Sequence, residues 1–353
     1  MNTIKPKLKA YVGTYTTGEG KGIYSFELNL NDGMIDNVRF EAELGNPTYL
    51  NIDDENKYLY SAIKKGSTGG VAAFSIDPLT KELKLVNCQV SEGSSPCHVS
   101  LDSKDKYVFA ANYHRGICEV YPTAEDGSIM PVISTAVHEG SGPNKERQEK
   151  AHIHFSSLTP DEKYLCVIDL GIDKLITYSI EGGILKKVKE ISFKPGSGPR
   201  HMDFHPNGRY AYVITELSSE VVAFEYNKGN GDFKELQYIS ALPDDFTGKS
   251  IGSAIHISSD GKYLYASNRG DESIALFEID ELSGKLRLIT HFSTFGKHPR
   301  DFVIDPTGSY LLAANKDTDN ILSFAIDKAT GKLTAVNCEV SVPNPVCIKF
   351  MKS

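Results

Sequence analysis

The chain has 353 residues, 38 Lys and Arg against 46 Asp and Glu, and a formal net charge of −8; 40% of it is hydrophobic and 24% charged. This acidic balance argues against a general nucleic-acid surface or an anionic-membrane surface. No apolar run approaches the ~20 residues of a membrane helix.

Trp is absent while Tyr (18) and Phe (16) are plentiful, and such aromatics favour strands. The start, MNTIKPKLKAYVGTY, has lysines but no apolar h-region and no small-residue cleavage site. None of the six cysteines (Cys88, Cys97, Cys118, Cys166, Cys338, Cys347) forms a CxxC pair, which argues against zinc and for reduced, structural thiols. A cytoplasmic protein is expected.

In chain order, LKAYVGTY (8–15) reads as a second strand lacking a first, and GIYSFELN and MIDNVRFEAEL supply a third and fourth. A hairpin then recurs six times, from NPTYLNIDDENKYLYSAI (46–63) through GPRHMDFHPNGRYAYVITE (198–216) to HPRDFVIDPTGSYLLAANK (298–316). A tyrosine after each turn marks the register: Tyr58, Tyr107, Tyr164, Tyr210, Tyr263 and Tyr310. Two further strand-like segments follow each hairpin, such as SIALFEID and KLRLITHF after Arg269. Four strands in about 50 residues is the signature of a propeller blade. The end, NPVCIKFMKS (344–353), is a first strand without a second. Joined to the N-terminal strands it makes a seventh blade and hides two sheet edges. The prediction is an all-β, seven-bladed β-propeller with four antiparallel strands per blade, a single domain over 1–353, closed by N- and C-terminal strands sharing the last blade. An open β-sandwich array is the competing architecture.

A hairpin's two open ends lie side by side, opposite its turn. Arg200-His201 and Glu216 therefore share one rim near the central channel. The equivalent starts are Thr48-Tyr49, Cys97-His98, His152 to His154, Ser253-Ala254, Arg300-Asp301 and Val346-Cys347. The equivalent ends are Lys64, Tyr113, Leu170, Arg269, Lys316 and, in the closing blade, Tyr15. The other rim carries generic turns (DENK, SKDK, PDEK, PNGR, SDGK, PTGS). Variation on a rigid scaffold marks the first rim as the place for binding and catalysis. The long polar connection AVHEGSGPNKERQEKAH should hang over it, as a lid or as a spacer.

His152 and His154, two apart on a strand, are read as metal ligands, structural histidines, or acid/base and substrate contacts. Arg200 either pairs with Glu216 or holds an anionic oxygen through its planar fork, and Glu216 is that partner or a general base. Arg200, Arg269, Arg300 and Lys316 together predict a small anionic ligand, against the alternative of a solvated charged rim. GxSxG, GxxxxGK[ST] and HExxH are all missing, so a covalent serine mechanism is not supported. Water activated by Glu or His, with Arg stabilising developing oxyanion charge, fits the residues present.

At YVGTYTTGEGKGIYSFELN, AHIHFSSLTPDEKYLCVIDLGIDK, GPRHMDFHPNGRYAYVITELSS, SAIHISSDGKYLYASNRGDESIALF and PRDFVIDPTGSYLLAANKDTDNI the chain resembles the lactonase seven-bladed propeller family. That family includes propeller-type 6-phosphogluconolactonases and the fungal carboxy-muconate cyclase. The resemblance covers nearly the whole chain. It implies hydrolysis of a small anionic sugar lactone, 6-phosphogluconolactone in the pentose phosphate pathway, without a metal; no cofactor is expected, and the charge and hydropathy above predict no nucleic-acid or membrane partner. It places the family's active-site His, Arg, Glu and Arg on His152, Arg200, Glu216 and Arg269. The rim reading adds His154 and His201 as substrate contacts and expects Lys316, Arg300 or Lys64 to hold the phosphate. One position departs: many relatives carry an acidic residue before the Ile of blade 5's first strand, where this chain has Ala254. That shifts weight onto Glu216 or puts the activity in question. The alternatives are a cycloisomerase using the same rim, and a non-catalytic binding scaffold. The missing Trp-Asp repeat signature and the charged rim argue against the scaffold.

Overall fold

In the computed structural model, residues 7–104 and 106–352 are described; Asp105, inside the expected SKDK turn, lies outside them, as do the extreme termini. They form seven four-stranded antiparallel sheets. Six run in simple chain order, blade 1 from Leu50–Ile52 to Leu83–Glu92 and blade 6 from Pro299–Ile304 to Leu333–Ser341. The seventh joins Pro345–Phe350 to Lys7–Thr14, Gly22–Asn29 and Ile35–Glu43, the closure the orphan end strands predict. The sole helical element among the described residues is one 3-10 turn, Lys316–Thr318.

Each register tyrosine opens the second strand of its blade and packs on the next blade. Gly127, Gly183, Gly231, Gly284, Gly331 and Gly33 sit in the turns between third and fourth strands, all at positive φ. A side-chain carbon at any of them would come within 2.2–3.0 Å of the ring of Tyr58, Tyr107, Tyr164, Tyr210, Tyr263 or Tyr310 respectively. These glycines supply both the left-handed backbone and the room for the ring. At the seventh joint, between the closing blade and blade 1, neither partner is present. Lys9 stands in the tyrosine register and Lys81, at φ 62, in the glycine place. Tyr11 still donates its hydroxyl to the Lys81 carbonyl at 2.6 Å, the bond that Tyr60, Tyr212 and Tyr265 make to the carbonyls of Gly127, Gly284 and Gly331 at other joints.

The apolar core lies between neighbouring sheets. One buried cluster, for instance, joins Tyr210, Tyr212 and Val221 of blade 4 to Leu264 and Phe277 of blade 5. The axis is left to polar side chains. Along it the innermost strands are bulged. Pairing skips His154 between Ile153 and Phe155, Arg200 between Pro199 and His201, and Arg300 between Pro299 and Asp301. Blade 5 shifts register between Gly252 and Ile255, and blade 7 skips Val346. A bulge leaves one residue unpaired and re-aims its side chain. Here it happens at the same level in blade after blade, on the rim that carries the varied residues.

Candidate functional site

At that rim a cavity of about 720 Å³ opens over the channel, lined by residues including Tyr15, Lys64, Cys97, Tyr113, Arg147, His154, Glu216, Arg269, His298, Arg300 and Lys316. Glu216 follows directly on the second strand of blade 4, Tyr210–Thr215, and is 3% exposed. Three guanidinium groups converge on it. Arg200, on the bulge of the partner strand, donates Nε to Oε2 at 3.1 Å; Arg269, which ends the second strand of blade 5, donates Nη2 to the same oxygen at 2.8 Å. Arg147 donates Nη2 to Oε1. The arginines are braced in turn by backbone: Arg200 Nη1 donates to the Ser253 carbonyl and Arg269 Nη2 to the Gly252 carbonyl, each at 2.7 Å.

Burial alone would raise the Glu216 pKa, but Arg269, Arg200 and Arg147 hold it well below the usual carboxylate range. Burial, reinforced by Arg269 and Arg300, pushes Arg200 down to about 9, which leaves it charged at neutral pH. His154, beside this cluster, is held neutral: burial and then Arg200 push it well below 6.5. Its Nδ1 has no protein partner among the described residues. Under it lie further rings, His201 at 5.1 Å between centroids, then His98 at 5.5 Å from His201 and Tyr49 at 4.1 Å from His98. Burial likewise drives His98 and His201 well below 6.5.

Of the residues singled out from sequence, Glu216, Arg269, His154, Lys64, Arg300 and Lys316 line the cavity. Arg200 is 2% exposed and stands behind Glu216. His201 lies deeper, in the ring stack. His152 is outside the lining: it stacks on Tyr113 (4.2 Å between centroids), its Nδ1 meets the Tyr113 carbonyl at 2.9 Å and its Nε2 the Glu149 carboxylate at 3.0 Å. Asp169 reaches its backbone rather than its ring, accepting the His152 N–H at 2.7 Å, and its other oxygen takes His138 Nδ1 at 2.8 Å.

Sequence reasoning missed Arg147 as an individual residue. It sits in the long connection expected to overhang this rim, where no periodicity singles out one cation among Lys145, Arg147 and Lys150. His298 was missed too. Burial and then Arg269 hold its pKa down to about 4, with Asp317 opposing.

The family model described as "Lactonase, 7-bladed beta-propeller" matches residues 9–350. The chain is 50% identical, over 98% of its length and 99% of the relative's, to a Bacillus subtilis protein named 6-phosphogluconolactonase. Among solved structures it is similar to a putative 6-phosphogluconolactonase from Bacteroides fragilis, with TM-score 0.92 and 38% identity over 100% of this chain and 99% of that one. It is also similar to the Pseudomonas aeruginosa periplasmic gluconolactonase, with TM-score 0.92 and 31% identity over 98% and 99%. Over almost its full length, this chain belongs to the lactonase seven-bladed β-propeller family.

Proposed function

We propose that the protein is a carboxylic ester hydrolase that opens a sugar lactone, 6-phosphogluconolactone to 6-phosphogluconate, as a step of the pentose phosphate pathway in the cytoplasm. The observation that carries this reading is Glu216, locked by three arginines at the wall of a cavity that a neutral His154 also lines. The names of its full-length relatives support the substrate class. Six free cysteines are consistent with a reducing compartment.

In this mechanism the lactone carbonyl oxygen settles against the guanidinium donors of Arg269 and Arg147. One well-placed donor to a developing oxyanion contributes ~3–4 kcal/mol. Water attacks the carbonyl carbon while the His154 imidazole takes its proton. The tetrahedral intermediate then collapses, the bond to the ring oxygen breaks, and the imidazolium returns the proton to that oxygen. Glu216, anionic throughout, keeps the arginines aimed and stabilises the transient imidazolium. His152, with both nitrogens engaged, positions Tyr113 and Glu149.

A coupled assay of purified protein over a panel of lactones tests this, with a carboxylated muconate included for the cyclase alternative. Turnover of 6-phosphogluconolactone should exceed spontaneous hydrolysis. His154→Gln and Glu216→Gln should each lower kcat/KM by about 10²–10³-fold. Wild-type rates in both variants would reject the site.

A further inference from the structure

Five cationic side chains line the cavity (Lys64, Arg147, Arg269, Arg300 and Lys316) against one carboxylate, Glu216. Four of the five are engaged. Arg147 and Arg269 are bound to Glu216, Lys64 Nζ donates to the Gly93 carbonyl at 3.1 Å, and Lys316 Nζ donates to Asp317 Oδ1 at 2.6 Å. The guanidinium of Arg300 has no hydrogen-bond acceptor among the described residues. Its central carbon lies 5.5 Å from the centroid of the Tyr15 ring, and Lys316 Nζ lies 6.0 Å from the same centroid. Tyr15 comes from the closing blade, so it brings the two cations of blade 6 to one spot.

Neutral donors flank this spot. Asn46 lines the cavity, and its Oδ1 is committed to the backbone N–H of Thr16 at 2.9 Å and to the Thr16 hydroxyl at 3.0 Å. That fixes the amide so that its NH₂ is left to donate. Thr17 and Thr48 line the same cavity. A half-buried guanidinium without an acceptor is a costly arrangement unless a ligand completes it. A planar fork suits bidentate contact with an oxyanion, and a phosphate monoester carries about −1.5 to −2 charge near pH 7.

We propose that Arg300, with Lys316 and the Asn46 amide around Tyr15, is the seat of a phosphate group on the substrate, and that this seat makes the protein select a phosphorylated sugar lactone over the unphosphorylated one. The proposal rests on the lactonase reading and adds an orientation: the carbonyl end faces the Glu216 cluster and the phosphate end faces blades 6 and 7. It also separates two activities that the names of relatives leave side by side, one on a phosphorylated lactone and one on a free one.

The test compares 6-phosphogluconolactone with glucono-1,5-lactone in wild type, Arg300→Gln and Lys316→Met, with thermal melting of each variant as a check on folding. Loss of a charge-assisted contact predicts that Arg300→Gln lowers the ratio of kcat/KM for the phosphorylated over the free lactone by about 10- to 100-fold, mostly through KM. Lys316→Met, whose ammonium is shared with Asp317, should lower it less. An unchanged ratio in Arg300→Gln overturns the proposal. Calorimetry with 6-phosphogluconate and gluconate decides the matter even if the wild type hydrolyses neither lactone, a result that would sink the lactonase reading alone. Preference for the phosphorylated acid that disappears in Arg300→Gln supports the seat; equal binding of the two acids by wild type overturns it.

Discussion

Glu216 accepts from Arg147 on one oxygen and from Arg200 and Arg269 on the other, and the three contacts differ in worth. Arg200 and Arg269 are almost wholly buried, while the Arg147 side chain is 37% exposed. Glu216→Gln removes the charge that holds two buried cations and should cost about 3–5 kcal/mol of unfolding free energy. Arg147→Ala should cost under ~1 kcal/mol while still slowing turnover, because its donor faces the cavity. Urea unfolding of both variants checks the contrast; equal losses would mean that Arg147 is structural. The pairing of Arg200 with Glu216 could be read from residue order, since the open ends of a hairpin must meet. The exact inward-facing histidine of blade 3 could not. Strict alternation puts His152 and His154 on one side, but the bulge at His154 inserts an extra residue, turning one ring to the cavity and leaving the other packed on Tyr113. A bulge leaves no mark in composition or period, and a contact such as Arg147 with Glu216, made from an irregular loop, leaves none either.

The strands themselves are joined blade to blade by an aromatic ring seated on a left-handed glycine, repeated at six of seven joints. The tyrosine half of this device was visible in the sequence as a register mark. Its purpose was not, because the glycine it meets lies 67–76 positions further on for five of the tyrosines, and near the other end of the chain for Tyr310, in a turn that looks generic. Gly284→Ala would put a carbon 2.4 Å from the Tyr210 ring at a backbone φ of 68, and should cost about 1–3 kcal/mol. Lys81→Gly works in the opposite sense. It relieves a left-handed lysine where no ring stands in the way, and should add roughly 1 kcal/mol. Thermal melting of the two variants should move in opposite directions; a lower midpoint for Lys81→Gly would show that its side chain supports the joint.

At the scale of the ring, three blades each send one buried imidazole to the axis. His98, His154 and His201 are 3%, 4% and 7% exposed, and burial lowers all three well below 6.5. Above pH 6.5 they are neutral in both folded and unfolded chains and do not affect stability. As pH falls below 6.5 the unfolded chain takes up protons that the folded ring refuses. Stability should therefore drop by about 1.4 kcal/mol per pH unit for each histidine. Glu216, whose folded pKa is depressed, adds its own loss only below its ordinary 4.5. Urea midpoints between pH 7.5 and 5 should fall steeply, and His98→Gln should flatten the slope; a midpoint independent of pH would contradict the buried, neutral assignment. Because the inner strands of blades 3 to 7 kink at matching positions, two sectors of the toroid address the mouth, through His154 and Arg300, with a residue that carries no pairing duty. Exchanging one such residue re-keys the entrance and asks nothing of the adjoining sectors, so descendants of this scaffold are free to drift in diet while keeping the same wheel.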